Sequence, residues 1–539
     1  MPVATLSQIL TPALAQMLDR LEIKRLVSPR IADELIDRWA AQGARVSEVG
    51  RSSDGRPIRA AVCGPLEPRR TLLCWGYPHP DEPLGASAIA WLFEEALAGR
   101  LPDLAHWRLV VIPCADPDQA RRQLWLEGRA SALEFAAGVW RPTHLSLEVD
   151  YGFPIDWGPF LHDTEWRGRC RLRRECEGRC GERCMYEDLP PGPLPESLAL
   201  AEAIQRFEPD VIAALHNTHT GGDYTFLMLR ERREVLRDLL EIPGAAGRGR
   251  HLGEAIDRGA RWLRSEPDLL RERMLDYQVR RLERRPDYDP DALYAGNASA
   301  ANFIESLPKE AQFTCPESTV FFHRDFADPS PWGRTELVRE EVRRGRRGRF
   351  YRYRWMRDGG EWVLAEREHL PDRKRGRGPR ELEVAVTRSM LAVRAARRRR
   401  RVLEAADRIW ERVLPYATAP HIYREERARY RRLGPGISER SLLIYRSRAD
   451  YHRPATVAQR ASFAWEWPMH TATILGNFAN FLAVQDDSVP EIAAAKRDLH
   501  ALIEGEVRRL PPSMREQADW NSAARSILAR VLRLMLARP

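Results

Sequence analysis

Three side chains that are common zinc ligands lie in two separate stretches of the sequence. His79 and Glu82 stand three residues apart in His79-Pro80-Asp81-Glu82, and His216 follows much later, after Val-Ile-Ala-Ala-Leu. A structural zinc normally has four closely spaced Cys and His ligands, whereas a hydrolytic zinc has three protein ligands and an open position for water. The pattern therefore predicts an open catalytic Zn²⁺ site. The alternative is that both histidines are hydrogen-bonded core residues that bind no metal.

Both halves of this pattern follow apolar runs that predict buried strands. Residues 71–76 form a short apolar run that ends in glycine, and residues 85–97 have the pattern of a helix. Residues 211–215 form a second apolar run, which is preceded by a helical pattern over 197–207. The three candidate ligands are thus expected at the carboxyl ends of strands, where open α/β sheets bind their ligands.

The neighbouring motifs resemble those of the M14 family of zinc carboxypeptidases over about residues 28–328. The resemblance is carried by Val49-Gly-Arg-Ser-Ser-Asp-Gly-Arg-Pro-Ile58, by the His-Pro-Asp-Glu motif and by Ile112-Pro-Cys-Ala-Asp-Pro-Asp118. It implies an α/β fold with a mixed, twisted sheet flanked by helices. It also implies a zinc metallopeptidase or amidohydrolase, which would act on a peptide or on an amide-containing small molecule.

The same resemblance implies roles for four further residues. Glu317, in Phe313-Thr-Cys-Pro-Glu317, would be the general base. Arg141 would stabilise the oxyanion, and Asp150 would orient His79 as a second-shell residue. Tyr294 matches the family's mobile active-site tyrosine. The alternatives are that Arg141 is a surface or salt-bridging arginine and that Glu317 is an ordinary loop carboxylate.

The sequence departs from the family at the site that binds the substrate's terminal carboxylate. The family's exopeptidases follow the acid equivalent to Asp150 with an Asn-Arg pair, but this chain reads Asp150-Tyr-Gly-Phe-Pro154. Phe153 cannot form the bidentate contact that favours arginine. Either an arginine from elsewhere replaces the pair, with Arg167, Arg169 and Arg171 nearby in sequence, or the substrate has no free carboxylate there.

Length and composition give a frame for these residues. A chain of 539 residues is long enough for two or three domains. We find no apolar run long enough for a transmembrane helix, no signal-peptide pattern at the N-terminus and too few cysteines, eight, for a disulfide scaffold. These features predict a cytoplasmic protein.

The chain divides by composition into three parts. Residues 1–45 predict helices packed on the catalytic domain, with Ile31, Leu35 and Trp39 on one apolar stripe. Residues 46–330 would form the catalytic domain, interrupted by insertions at about 157–195 and 230–290. Residues 331–539 predict a basic, mainly helical extension.

The first insertion contains four clustered cysteines whose state the sequence leaves open. Their spacing partly meets that of zinc ligands but lacks a paired C-x2-C module. A second, structural metal, free thiols and disulfides all remain open for Cys170, Cys176, Cys180 and Cys184.

The extension carries the basic excess of the chain. Residues 331–430 contain 28 Lys and Arg against 15 Asp and Glu, a local net charge of +13, whereas the whole chain is +9. Residues 351–366 predict a hairpin around Asp358-Gly-Gly, and residues 381–416 predict a long helix that carries Arg397 to Arg401. This segment suggests a second hypothesis, in which a catalytically retired peptidase scaffold binds nucleic acid or an acidic partner.

Overall fold

The structure is a computed structural model. It describes residues 4–123, 131–139, 149–151, 153–154, 194–227, 231–249, 297–298, 300–305, 307–345, 348–358, 360–370, 378–416, 453–483, 485, 487–516 and 518–538.

An eight-stranded mixed sheet forms the centre of the molecule. Its strand order is β1-β2-β4-β3-β6-β10-β7, with β8 paired to β10. β3, β4, β6, β7 and β10 pair in parallel, whereas β1, β2 and β8 are antiparallel to their partners. The strands are Arg45–Arg51 (β1), Pro57–Cys63 (β2), Arg70–Trp75 (β3), Trp107–Ile112 (β4), Val211–Ala214 (β6), His216–Gly221 (β7), Tyr224–Leu227 (β8) and Gln312–Phe322 (β10), and a separate two-stranded ribbon joins Phe153–Pro154 (β5) to Asn297–Ala298 (β9).

Helices cover both faces of this sheet, because alternate residues of its buried strands point to opposite sides. Leu72 and Cys74 of β3 face one core, whereas Leu73 and Trp75 face the other. The helices of this part of the chain are Leu6–Ile9 (α1), Pro12–Asp19 (α2), Pro29–Ala41 (α3), Leu84–Leu97 (α4), Pro117–Ala120 (α5), Ala132–Gly138 (α6), Pro195–Phe207 (α7), Arg233–Ala245 (α8) and Ala300–Glu305 (α9), with 3₁₀ turns at Pro102–Leu104, Val149–Tyr151 and Arg324–Ala327. The predicted mixed α/β sheet flanked by helices is confirmed.

The elements around the predicted site lie close to their expected positions. β3, α4, α7 and β6 match the predicted runs to within two residues at each end. β4 ends at Ile112, and Cys114 lies in the loop beyond it. The described residues contain no helix that is both long and apolar enough to cross a bilayer.

The C-terminal region contains a second sheet in addition to helices. Its antiparallel strands have the order β13-β12-β11-β14. The elements are Thr335–Arg344 (β11), Phe350–Asp358 (β12), Glu361–Leu370 (β13), Arg380–Ala385 (β14), Arg388–Val413 (α10), Leu414–Tyr416 (3₁₀), Val457–Ala461 (α11), Ser462–Glu466 (π-helix), Trp467–Ala483 (α12), Pro490–Val507 (α13), Pro512–Glu516 (α14) and Trp520–Leu536 (α15).

Two predictions for this region have definite outcomes. The predicted hairpin is present as β12 and β13. The predicted helix over residues 381–416 begins too early, because residues 380–385 pair with β11 and Thr387 caps the helix by accepting a hydrogen bond from the amide of Met390. Cross-strand pairing thus overrides the helical pattern in this segment.

Arginines of helix α10 form hydrogen bonds to strands of the second sheet. Arg394 donates to both carboxylate oxygens of Glu336 on β11. Arg397 donates to a backbone carbonyl of β13 at 3.0 Å, and Arg401 pairs with Glu361 at 3.1 Å. These contacts give part of the basic segment a structural role within the chain.

One hydrophobic core joins the first and last helices to the central sheet. Leu6 of α1, Leu72 of β3 and Met535 of α15 belong to the same cluster of buried residues. α15 packs directly on β10 and α4. The division of the chain at about residues 45 and 330 stays a prediction about its organisation, and the last helix lies in the core of the central sheet.

Candidate active site

The loop after β3 carries the first two candidate ligands. The backbone turns sharply at Gly76, where an added Cβ would lie 2.5 Å from the amide nitrogen of Ala86. Tyr77 follows with a φ of 56°, a left-handed conformation that is rare for a bulky residue and is maintained only by its surroundings. The amide of Glu82 donates to the carbonyl of His79 at 3.1 Å and closes the turn. The side chains of His79 and Glu82 therefore both project from a tightly constrained loop.

The N-terminus of α4 lies unusually close to the residue before His216. A Cβ on Gly85 would lie 2.2 Å from the carbonyl oxygen of Leu215, so only glycine allows this approach. The side chain of Asn217 accepts a hydrogen bond from the amide of Leu84 at 3.2 Å. These contacts bring the two distant halves of the sequence pattern together.

The structure brings the three predicted ligands into one cluster. One candidate donor atom from each of His79, Glu82 and His216 lies within 4.8 Å of the others. Glu82 Oε2 is 2.9 Å from His216 Nδ1 and accepts a 3.2 Å hydrogen bond from the amide of Asn217. Glu82 and His216 are buried, and His79 is half-buried.

The electrostatics of this cluster favour a positive charge. Burial by itself would lower the pKa of His216, but the carboxylates of Glu317, Glu82 and Asp150 hold that pKa well above its ordinary value. Two imidazoles and one carboxylate form a donor set of hydrolytic zinc sites. The residues present therefore fit a divalent zinc ion, which would compensate the charge of the carboxylates.

Glu317 lies beside the cluster on the neighbouring strand. It pairs in register with His216 across β10 and β7, and its Oε1 is 3.8 Å from His216 Nδ1. The residue is buried, with 8% of its surface exposed. Glu317 thus lies next to the three candidate ligands and inside a long strand, not in a loop, and its role as general base stays a prediction.

Asp150 contacts a different histidine from the one expected. Its Oδ2 is 2.9 Å from Nε2 of His216, whereas the family resemblance implies His79 as its partner. The 3₁₀ turn around Asp150 is attached to α7 by a 2.6 Å hydrogen bond from Ser197 to the carbonyl of Val149. A carboxylate at Nε2 leaves Nδ1 available for a metal, which is the usual second-shell arrangement.

A second group of possible ligands shares His216 with the first. Asp150, His216 and Cys315 offer donor atoms within 4.8 Å of one another, and all three residues are buried. Burial raises the pKa of the Cys315 thiol to about 12. We interpret Asp150 and Cys315 as groups that orient the His216 ring from the side away from Glu82.

Phe153, which the resemblance places where the M14 exopeptidases have an arginine, is an apolar residue of the core. Phe153 is fully buried, and its ring centroid lies 5.5 Å from that of Phe303. β5 and β9 pair at this point, with Phe153 opposite Ala298. The position thus forms part of the core and offers no charged donor.

Several predicted residues lie outside the described part of the chain. They are the oxyanion candidate Arg141, Tyr294, the arginines Arg167, Arg169 and Arg171, and the four cysteines Cys170, Cys176, Cys180 and Cys184.

Sequence reasoning missed three residues that shape the site. Asn217 could have been found from its position next to His216. Tyr77 has a backbone conformation that a Tyr-Pro pair does not signal. Arg530 contacts the backbone of Glu317 from a helix more than two hundred residues away, and no local pattern indicates such a contact.

Two of the three comparisons with known proteins gave no match, because no protein-family model and no curated protein matches the chain. The solved structures that resemble part of the chain include metallocarboxypeptidases.

Three of these structures show how partial the likeness is. A metallo-carboxypeptidase from Burkholderia cenocepacia is 13% identical, with a TM-score of 0.27, and the match covers 56% of this chain and 60% of that one. Carboxypeptidase A from Helicoverpa armigera is 16% identical, with a TM-score of 0.25, and the match covers 47% of this chain and 60% of that one. A metallo-carboxypeptidase from Pseudomonas aeruginosa is 13% identical, with a TM-score of 0.27, and the match covers 53% of this chain and 59% of that one. The matched region thus spans about three fifths of each relative, and the interpretation of the site rests on its own geometry.

Proposed function

We propose that this protein is a zinc-dependent hydrolase that cleaves an amide bond. The observation that carries the proposal is the cluster of His79, Glu82 and His216, with the Glu317 carboxylate 3.8 Å from the same His216 nitrogen that faces Glu82. Such a cluster combines a metal-binding donor set with a separate carboxylate, which are the two parts that hydrolysis requires.

Each side chain of the site would have a separate role in the reaction. His79, Glu82 and His216 would hold the zinc, which when bound lowers the pKa of its water ligand to about 7 and polarises the scissile carbonyl. Glu317 would accept the proton of the attacking water at its carboxylate and then deliver it to the leaving amine. Asp150 would orient the His216 ring through Nε2, so that Nδ1 faces the metal.

The surroundings of Glu317 support its role as a proton carrier. It lies within reach of the cluster, but the cluster already offers three other donors. A carboxylate that lies next to the candidate ligands without being one of them can accept a proton from a nearby water. Arg141 stays a proposal for oxyanion stabilisation, since a permanent cation suits a developing negative charge.

The retired-scaffold hypothesis has less support. It was based on the arginine-rich segment, and several of those arginines bind the second sheet. The three candidate ligands form one cluster, and the Glu317 carboxylate lies 3.8 Å from the ring of His216. We therefore propose hydrolysis as the function, with a peptide or another amide-containing molecule as the substrate.

A substrate panel tests the proposal. Zinc-loaded protein is incubated with acylated dipeptides and their C-terminal amides, and released amines are quantified. We expect turnover by the wild type and a loss of about 10² to 10⁴-fold in kcat for Glu317→Gln with zinc retained. Retention of more than a tenth of the activity by Glu317→Gln would remove this residue from the mechanism.

A further inference from the structure

The strand that carries Glu317 loses one of its neighbours at that residue. β8 pairs with β10 over residues 314–317, and the register ends where Glu317 lies opposite Tyr224. β10 itself continues to Phe322. From Glu317 onward β10 stays paired with β7, and side chains and a helix terminus provide the contacts that β8 no longer makes.

Arg530 of α15 binds the first of these groups. Its guanidinium is fully buried, and Nη1 and Nη2 each donate to the carbonyl oxygen of Glu317 at 3.1 Å. Nη1 also donates to the carbonyl of Tyr224 and to Thr225 Oγ1, and Nε donates to the carbonyl of Ser526 in the same helix. One side chain thus joins β8, β10 and the last helix at the position of the proposed base.

Asp223 and Arg248 continue the arrangement along β10. Asp223 accepts hydrogen bonds from the hydroxyl of Ser318 at 2.7 Å and from the amide of Thr319 at 3.2 Å. Arg248 donates to the carbonyl of Thr319 and, through Nε, to Asp223 at 3.1 Å.

Asp223 compensates part of the positive charge of the two buried arginines. Asp223 Oδ2 also lies 3.8 Å from Arg530, so one carboxylate stands between two buried guanidinium groups. The amide of Asp519, just before α15, donates to the carbonyl of Val320 at 3.0 Å. In addition to the pairing of β10 with β7, residues 317–320 thus contact Arg530, Asp223, Arg248 and the amide of Asp519.

We propose that Arg530 is a positioning residue, which fixes the backbone of Glu317 so that its carboxylate stands beside the zinc-binding cluster. The catalytic part of this inference rests on the proposed hydrolytic function, whereas the positional part does not. A planar guanidinium can donate to several carbonyls at once in a fixed geometry, and a lysine ammonium cannot reproduce that geometry. The last helix is thereby coupled to a site whose metal ligands lie in the first half of the chain.

If Arg530 only stabilises the fold, its substitution should have a different effect on amide exchange. Breaking a buried ion pair lowers the stability of the whole fold, which would accelerate amide exchange in every stable element by a similar factor. A positioning role requires a local effect at residues 315–320. Arg533 offers a matched control, because it lies on the same helix and pairs with Asp238 at 2.8 Å, away from Glu317.

Hydrogen–deuterium exchange by mass spectrometry tests the positional part without any substrate. Full-length Arg530→Met, Arg530→Lys and Arg533→Met are compared with the wild type after circular dichroism has shown that they are folded. Arg530→Lys keeps a positive charge beside Asp223 and serves if Arg530→Met does not fold. We expect peptides that cover 315–320 to exchange about 10-fold faster or more in the Arg530 variants, with peptides from β3 and β4 unchanged. Unchanged exchange at 315–320, or equal acceleration everywhere, would overturn the proposal.

Steady-state kinetics test the catalytic part on the dipeptide substrate that the wild type hydrolyses best. We expect Arg530→Lys to lower kcat about 10-fold or more with KM and zinc content unchanged, and Arg533→Met to retain wild-type kcat. Loss of zinc or a rise in KM alone would contradict positioning of the base. If the wild type hydrolyses no amide, the proposed function fails, while the exchange experiment still decides whether Arg530 fixes the Glu317 backbone.

Discussion

The hydroxyl of Tyr77 donates a 2.5 Å hydrogen bond to the backbone carbonyl of Val27. This bond ties the loop that carries His79 to the segment before α3, and the amide of Val27 is in turn bound by Ser87 Oγ of α4 at 3.0 Å. The N-terminal segment therefore helps to maintain the left-handed backbone of Tyr77, two residues before a proposed zinc ligand.

We expect Tyr77→Phe to weaken zinc binding without removing a ligand. The variant leaves the buried carbonyl of Val27 without its phenolic donor, which costs roughly 1–3 kcal/mol of folding free energy, and it frees the His79 loop. Loss of an outer-shell contact typically lowers metal affinity about 10 to 100-fold. Competition with a chromophoric chelator measures the affinity, with Tyr351→Phe in the second sheet as the control. Equal zinc affinity in Tyr77→Phe and the wild type would show that the loop needs no such support.

Gly85→Ala should separate the two halves of the site. The added methyl group would overlap the carbonyl of Leu215, so α4 must move away from the residue before His216. We expect a loss of zinc affinity together with a destabilisation of about 1–3 kcal/mol, which is typical of overpacking. Gly505→Ala is the control, because nothing lies within 4 Å of the added atom and alanine is a better helix former. Zinc binding and urea unfolding report both effects, and a Gly85→Ala protein with wild-type values would refute the close approach.

Asp116 should make the fold less stable as the pH rises. Burial raises its pKa from 3.8 to about 8, and Glu196 and Asp118 add to the increase, while a 3.1 Å hydrogen bond from the amide of Gln119 opposes it. The folded state therefore holds a proton that the unfolded state releases, so the stability that this proton supplies is lost between about pH 4 and pH 8.

We expect Asp116→Asn to stabilise the fold in alkaline buffer. Asparagine keeps the acceptor for Gln119 but cannot ionise. Urea unfolding of both proteins at pH 5, 7 and 9 measures the difference, which should grow with pH. A constant difference over that range would mean that Asp116 does not titrate there.

The hydrolase should tolerate a masked carboxylate next to the cleaved bond. The resemblance to the M14 family places Phe153 where the exopeptidases have an arginine, and Phe153 packs against Phe303. A site that lacks buried carboxylate donors leaves none unpaired when the substrate carries an amide. We expect similar kcat/KM values for an acylated dipeptide and its C-terminal amide. A preference above about 10³ for the free acid, roughly 4 kcal/mol, would reveal a carboxylate-binding group elsewhere.

The three candidate ligands could be found in the sequence because each half of their pattern has a local signature. The His-x-x-Glu spacing and the two apolar runs placed His79, Glu82 and His216 at strand ends, and the fold brings them together. The helix and strand boundaries near the site followed from the same runs to within two residues.

The contacts between distant segments could not be found in this way. The partner of Asp150 depends on how its 3₁₀ turn packs on α7. The contact between Arg530 and Glu317 requires the last helix to pack on the central sheet. Residues 380–385 form a strand because β11 offers a partner, which a single-segment pattern does not contain. Tertiary pairing decided each of these features.

Zinc content tests the central claim most directly. The wild-type protein is prepared with zinc, passed through a desalting column and measured by elemental analysis beside the His79→Ala, His216→Ala double variant. We expect about one zinc per chain in the wild type, and about one fewer in a double variant that circular dichroism shows to be folded. A wild type that retains no zinc, or a folded double variant that retains as much as the wild type, would contradict a catalytic zinc at His79, Glu82 and His216.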